Sequence, residues 1–143
     1  MKLRVSFLTI ALVSFFAIDA PAAVLYVEVN SANATAPYTD WVTAAIKIQD
    51  AVDVASPGDQ ILVGAGLYQE SVQLGTNTVQ LVSASGPAFT FIMAPPGAPA
   101  VGFGGQHGSA NVDALLSGFT VTNSTCGVYV SGASSPTIIS NTA

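Results

Sequence analysis

The sequence predicts an all-β chain, organised as a solenoid of stacked parallel coils with one helix near its N-terminus. Short runs of β-branched and aromatic residues recur between Gly and Pro breaks. Hairpin signals such as Asn-Gly are absent from the sequence. The segment 117–123 is echoed by 135–141, which places Asn123 and Asn141 18 residues apart. A repeat of about 20 residues with a strand–turn–strand unit is typical of solenoids.

Residues 1–22 carry the pattern of an export signal. Lys2 and Arg4 precede an almost wholly apolar run, and Ala20-Pro21-Ala22 forms a small-residue recognition site. The apolar run is shorter than the roughly 20 residues of a membrane-spanning helix, so a cleaved signal is favoured over an uncleaved anchor or a buried strand. Because Pro21 lies inside this site, the sequence does not determine which peptide bond is cleaved. The pattern predicts a secreted or cell-envelope protein with no membrane span after cleavage.

Composition excludes several classes of partner. Without residues 1–22 the chain keeps one basic residue, Lys47, and seven acidic residues, so its formal charge is 1 − 7 = −6. Phosphate backbones bind through several Lys and Arg contacts, which excludes nucleic acid and argues against an anionic membrane surface. The single cysteine, Cys126, excludes an internal disulfide, and its place beside an apolar strand predicts a buried thiol.

Residues 23–58 are predicted to form a first strand, within Ala23–Asn30, and a helix over Asp40–Ala55. Asp40 is the expected N-cap, and Pro57-Gly58 ends the helix. Four apolar residues recur at steps of three and four and predict one buried face: Ala45, Ile48, Val52 and Ala55.

Residues 59–143 are predicted to form incomplete coils of short strands. The expected strands are 60–63, 68–74, 78–83, 89–93, 115–122, 127–130 and 136–140, with a Gly-rich loop at 102–111. The side chains expected to point inward are Ile61, Val63, Leu81, Ile92, Phe119, Val121, Val128 and Ile138. Coils bury their faces only against neighbours, so we expect a truncated stack that folds poorly alone or self-associates through its uncapped C-terminal end.

Three motifs resemble the opening of right-handed parallel β-helix proteins of the pectin-lyase-like superfamily. They are Ile48-Gln49-Asp50-Ala51-Val52-Asp53, Pro57-Gly58-Asp59-Gln60-Ile61-Leu62-Val63 and Gly66-Leu67-Tyr68-Gln69-Glu70-Ser71-Val72. Residues 24–143 are most similar to exported bacterial β-helix repeat proteins. The resemblance implies a single-stranded right-handed parallel β-helix whose amphipathic helix caps the N-terminal end.

The resemblance is specific for a fold and unspecific for an activity. Pectin methylesterases and some pectate lyases share this opening, and their catalytic carboxylates, Arg and calcium ligands lie on later coils. This chain has no Arg after Arg4, and Asp113 is its only acidic residue beyond Glu70. The sequence therefore assigns no catalytic, cofactor-binding or metal-binding residue, and no cofactor.

Several residues have a functional and a structural interpretation. Glu70 could act as a catalytic acid, but it lacks a second positioned group and is better explained as a turn carboxylate that holds neighbouring backbone N–H groups. Asp50, Asp53 and Asp59 could bind calcium, although a solvated helix face and a turn explain them. His107 could be a ligand or a base in its Gly-rich loop, which has no phosphate-loop context.

Aromatic residues and two sequons complete the candidates. A sugar-stacking surface could include Tyr38, Trp41, Tyr68 and Tyr129, although Trp41 is also suited to pack the helix against the first coil. The segments 33–35 and 123–125 fit the N-glycosylation sequon.

Two functions from different classes fit these patterns. The first is a secreted or cell-surface β-helix repeat protein that contacts polysaccharide and has no catalytic machinery in this segment. The second is the N-terminal part of a pectate lyase-like or pectinesterase-like enzyme whose active site lies on other coils.

Overall fold

The computed structural model describes residues 21–75, 78–104, 113–122, 126–132 and 134–142. In these residues the chain is mostly β-structure with one helix, α1 (Ile48–Val54). This composition agrees with the predicted all-β class. The predicted export signal lies outside the described residues except for its last two positions. The described residues include no helix long and apolar enough to cross a membrane.

Eleven strands of three to five residues alternate along the described residues among three sheets. Their bounds in chain order are β1 Val24–Val27, β2 Gln60–Val63, β3 Gly66–Tyr68, β4 Val72–Gly75, β5 Gln80–Ser83, β6 Thr90–Met93, β7 Pro99–Phe103, β8 Leu115–Ser117, β9 Thr120–Thr122, β10 Cys126–Val130 and β11 Thr137–Ile139. The first sheet has the order β1-β2-β5-β8-β11, the second β3-β6-β9 and the third β4-β7-β10. Every strand pairing is parallel.

The core consists of columns of apolar side chains that repeat from strand to strand. The first sheet aligns one residue from each strand in register: Leu25, Ile61, Leu81, Leu116 and Ile138. The second sheet aligns Tyr68, Ile92 and Val121, and the third aligns Val72, Val101 and Val128. Parallel pairing in register therefore stacks like residues over one another, and their common burial drives the fold.

Six of the eight side chains predicted to point inward are buried. Val128 is half-buried against the core, and Ile138 is 42% exposed. Ile138 lies in the same column as the buried Leu116, but β11 is the outermost strand of its sheet. Its exposure therefore reflects position in the sheet and not side-chain direction.

The helix begins eight residues later than predicted. Residues before Lys47 are not helical, and Ala45 instead pairs with β1: its N–H donates to Tyr26 O (2.9 Å) and its carbonyl accepts from Glu28 N (2.8 Å). The open edge of β1 thus competes successfully for these backbone groups. Asp40 does not cap the helix, because it accepts from the N–H (2.8 Å) and hydroxyl (2.9 Å) of Thr43.

Two predicted strands are each divided between two sheets. The predicted strand 68–74 bends between β3 and β4, and 115–122 bends at Gly118-Phe119 between β8 and β9. Gly118 has φ +83°, and an added Cβ would lie 3.2 Å from Ser83 Cβ. A residue with a Cβ would be strained there, so glycine permits the corner. The strand β7 was missed, because its first residue is a proline and its end falls in the predicted Gly-rich loop.

The apparent 18-residue repeat is not the structural repeat. Thr137 pairs with Leu115 and Thr142 with Thr120, so the offset between these strands is 22 residues. Asn141 therefore lies beside Phe119 and donates its amide to Leu116 O (2.9 Å), while its oxygen accepts from Phe119 N (2.8 Å). The backbone register, and not the likeness of the two segments, decides the alignment.

Candidate functional site

Glu70 connects the corner after β3 to the helix. Its Oε1 accepts from Ile48 N at 2.8 Å, and its Oε2 accepts from Gln49 N at 3.0 Å. The N-cap residue Lys47 makes no side-chain capping bond, so Glu70 supplies the acceptors that a helix N-terminus needs. Glu70 holds backbone N–H groups as the sequence favoured, but these belong to a helix more than 20 residues away.

The other candidate carboxylates lie apart from one another. Asp59 accepts from Ala23 N (2.7 Å) and Ser56 N (2.8 Å). Asp53 accepts from the Gln49 side chain (2.8 Å), and Asp50 is exposed. Within the described residues, no three His, Cys, Asp or Glu side chains are grouped so that they could hold a metal ion.

Gln49 is a structural residue that the sequence did not single out. Its Oε1 accepts from Gln73 N (2.8 Å), and its Nε2 donates to Gln73 O (3.2 Å). The carboxamide therefore pairs with β4 as a strand peptide group would, on the edge of the third sheet. Its place in the Ile-Gln motif is the only sequence signal, because periodicity shows nothing of a partner 24 residues away.

Trp41 and Tyr26 form an aromatic pair at one side of the molecule. Their ring centroids lie 4.8 Å apart in an edge-to-face arrangement, with 63° between the planes. Trp41 is 44% exposed and Tyr26 is half-buried. Trp41 thus touches β1 and still presents surface to solvent. Tyr26 was not among the predicted aromatic residues.

The four predicted aromatic residues do not form one surface. Tyr68 is buried, and its hydroxyl donates to Gly64 O (3.0 Å). Burial, with the charges of Glu28 and Glu70, raises the pKa of Tyr68 far above its usual range. Tyr129 is exposed on β10, and Tyr38 packs half-buried against the core. Of the predicted set, only Trp41 combines exposure with an aromatic neighbour.

The outer face of the first sheet extends from this pair across five strands. One row in register contains Tyr26, Leu62, Val82, Ser117 and Ile139. The second row contains Val24, Gln60, Gln80, Leu115 and Thr137. All ten side chains are uncharged, and each is exposed or half-buried. At about 4.8 Å per strand, each row is roughly 19 Å long. We call this surface with Trp41 the outer face.

The ionic group nearest in sequence to Trp41 is Asp40. The N–H of Thr43, followed by its hydroxyl, lowers the pKa of the Asp40 carboxyl. This carboxylate stays charged at neutral pH beside Trp41. A negative charge at this position discourages anionic ligands.

Four further candidates remain, and two of them lie outside the described residues: His107, and Asn123 with its sequon. Asn33 is exposed, and its carbonyl accepts from the Thr35 hydroxyl at 2.9 Å. Cys126 is half-buried and not fully buried as predicted, and its Sγ lies 3.1 Å from Val128 O.

Comparison with known proteins does not identify a relative. No family model matches the chain, and neither a curated protein nor a solved structure matches it. The function must therefore be argued from the residues and the geometry of this chain.

Proposed function

We propose that this chain is an exported, right-handed parallel β-helix protein of the pectin-lyase-like kind that binds a polysaccharide. The strand path supports the fold: from β2 onward the chain visits the first, second and third sheets in turn, three times, and then returns to the first. Parallel strands joined by crossovers are right-handed in about 98% of cases. Helix α1 packs against β1, β2 and β4, which suits a cap on one end of a coil stack.

The outer face carries the ligand proposal. A surface with two rows of uncharged side chains and an exposed aromatic at one end offers stacking and hydrogen bonding to sugars. The half-buried or exposed Gln60 and Gln80 lie side by side in register and supply amide donors and acceptors. The length of the rows favours an extended chain of sugars over a single small molecule.

Charge favours a neutral over an acidic polysaccharide. Residues 23–143 carry a formal charge of 1 − 7 = −6, and Lys47 is their only Lys or Arg. A polyanion such as pectate would be repelled at long range. Within the described residues there is also no group of three His, Cys, Asp or Glu side chains that could hold a metal ion between the protein and an acidic sugar. The pectate lyase-like alternative draws on the Glu70 motif, and both oxygens of Glu70 are already bound to the helix.

Replacing Trp41 by alanine is expected to weaken glycan binding about tenfold or more, as loss of a central aromatic contact does in other interfaces. Binding to neutral and acidic polysaccharides would be measured by glycan array and affinity electrophoresis. Phe89→Ala is the matched control, because Phe89 is 63% exposed and directly precedes β6, a strand of the second sheet. Absence of binding to every glycan would remove the carbohydrate proposal. Equal effects of the two variants would move the site elsewhere.

We also propose that residues 23–143 bind a second copy of themselves through β10 and β11, the outermost strands of the third and first sheets. Exposed apolar side chains mark β10 and β11, namely Tyr129, Val130, Ile138 and Ile139. Both strands are outermost in their sheets, and such edges recruit further strands. No Asp, Glu, Lys or Arg follows Asp113 in the sequence. Contact between two copies through β10 and β11 would therefore keep the acidic residues of the two copies, which all lie at or before Asp113, apart.

We expect residues 23–143 to self-associate as concentration rises, and a Val130→Lys/Ile138→Lys double variant to remain monomeric. Like charges placed on both copies would oppose the contact. Leu67→Lys is the control. Leu67 is 46% exposed on β3, which belongs to the second sheet and not to the sheets of β10 and β11. Sedimentation velocity across a concentration series decides the matter. A wild-type chain that stays monomeric throughout would contradict the proposal.

A further inference from the structure

Asp59 is a buried carboxylate that receives only neutral donors. The residue is 7% exposed and lies directly before β2. Its two oxygens accept from Ala23 N and Ser56 N at 2.7 and 2.8 Å. Lys47, the one Lys or Arg among the described residues, is exposed at the N-cap of α1. A buried carboxylate is costly unless a positive charge stands near it, and the described side chains offer Asp59 none.

The nitrogen of Ala23 is also an atom that export processing could make cationic. Ala23 directly follows the recognition site Ala20-Pro21-Ala22. Hydrolysis of the Ala22–Ala23 bond adds one water: the Ala22 carbonyl carbon gains the oxygen as a carboxylate. The Ala23 nitrogen gains hydrogen and is protonated at neutral pH. This new ammonium would arise on the atom that already contacts Asp59.

We propose that the mature chain begins at Ala23 and that Asp59 is the binding site of its α-ammonium group. This inference rests on the export part of the proposed function. Ala23 is held from both sides, because its carbonyl also accepts from Gln60 N at 2.9 Å. Pro21 and Ala22 are exposed, so their removal uncovers no core.

The position of Asp59 selects one bond among those that the signal left open. Each residue retained before Ala23 would carry the amine up to about 3.5 Å further along the chain. Cleavage before Pro21 or Ala22 would therefore leave the charge out of hydrogen-bond reach. Cleavage after Ala23 would remove the contact. Only the Ala22–Ala23 bond supplies the missing counter-charge where the carboxylate is buried.

Export of the full 143-residue chain tests the processing site. The chain would be expressed with its own signal in a secreting bacterial host, and the exported product would be measured by intact mass spectrometry. We expect a product that begins at Ala23. A product with another first residue would overturn this inference and leave export intact. A chain that is not processed would overturn both this inference and the export part of the proposed function.

Chains with defined N-termini test the ion pair itself, without relying on export. Residues 23–143 with a free Ala23 amine would be compared with residues 21–143, each with Asp59 and with Asp59→Asn. We expect the free Ala23 amine to raise the folding equilibrium constant about tenfold with Asp59, as a charge-assisted hydrogen bond does. The ratio between the two chain lengths should approach one in the Asp59→Asn variants. Urea unfolding followed by circular dichroism measures each constant.

The retained Pro21-Ala22 pair is a suitable control because it keeps the Ala23 amide N–H as a neutral donor to Asp59. A merely structural Asp59 would stabilise both chain lengths alike. Equal stability of the two lengths, or an advantage of the shorter chain that persists in Asp59→Asn, would overturn the proposal. If the shorter chains do not unfold cooperatively, N-terminal mass analysis of the exported full chain still decides the cleavage site.

Discussion

Replacing Phe103 by alanine is expected to destabilise the protein by about 3–5 kcal/mol, the usual cost of truncating a buried phenylalanine. Phe103 is fully buried and lies on β7, between β4 and β10 in the third sheet. The loss has two parts. The variant buries less apolar surface on folding, and the deleted ring leaves a cavity that the surrounding side chains fill only partly. A loss of this size is a large share of the roughly 5–15 kcal/mol that stabilises a typical domain.

Urea unfolding followed by circular dichroism would measure this loss. Phe89→Ala deletes the same side chain at a site that is 63% exposed, and we expect it to change stability by less than about 0.5 kcal/mol. Similar losses in the two variants would contradict the burial of Phe103. An unchanged midpoint for Phe103→Ala would place the third sheet outside the cooperative core.

Replacing Glu70 by alanine is expected to cost about 2–3 kcal/mol, because two charge-assisted hydrogen bonds to the helix are lost together. The donors are Ile48 N and Gln49 N, and Ile48 is fully buried. The negative charge also lies at the positive end of the helix dipole. With seven residues, α1 is too short to be stable without such tertiary support.

Glu70→Gln separates charge from shape, since glutamine keeps one acceptor oxygen and loses the charge. We expect an intermediate loss for this variant. Asp50→Asn is the matched control, because Asp50 is an exposed carboxylate in the first turn of the same helix and its change should cost about 0.5 kcal/mol or less. Thermal and urea unfolding compare the three variants. If Asp50→Asn matched Glu70→Ala, simple charge near the helix would explain the effect.

Glu70 also shows why this chain resists assignment by motif. The Gly-x-Tyr-x-Glu stretch suggests an acid at a coil turn, and the structure occupies both oxygens with backbone donors of α1. Tyr68, in the same stretch, is buried and donates to Gly64 O. Two polar residues of this motif therefore have structural roles, and the proposed ligand surface lies on a different sheet.

Local patterns were sufficient for the class of the fold and for much of its core. Alternation in Gln60–Val63 predicts the strand and its two inward side chains, because burial of one face imposes a period of two residues on the sequence. Gly and Pro predict most of the breaks, since each restricts the backbone at its own position. The apolar triplet Ala45, Ile48 and Val52 is buried as the helical period predicts, although Ala45 reaches the core from an extended segment.

Only the tertiary structure decided where those local preferences yield to long-range pairing. The backbone of Ala45 joins the open edge of β1, so the helix starts at Ile48 and not near Asp40. Paired residues of β8 and β11 are 22 positions apart in the sequence, because hydrogen bonds between the strands outweigh the likeness of the two segments. Glu70, Gln49 and Asp59 each have at least one partner that lies 21 to 36 residues away. Such contacts leave no periodic trace in the sequence, since they depend on which strand lies beside which.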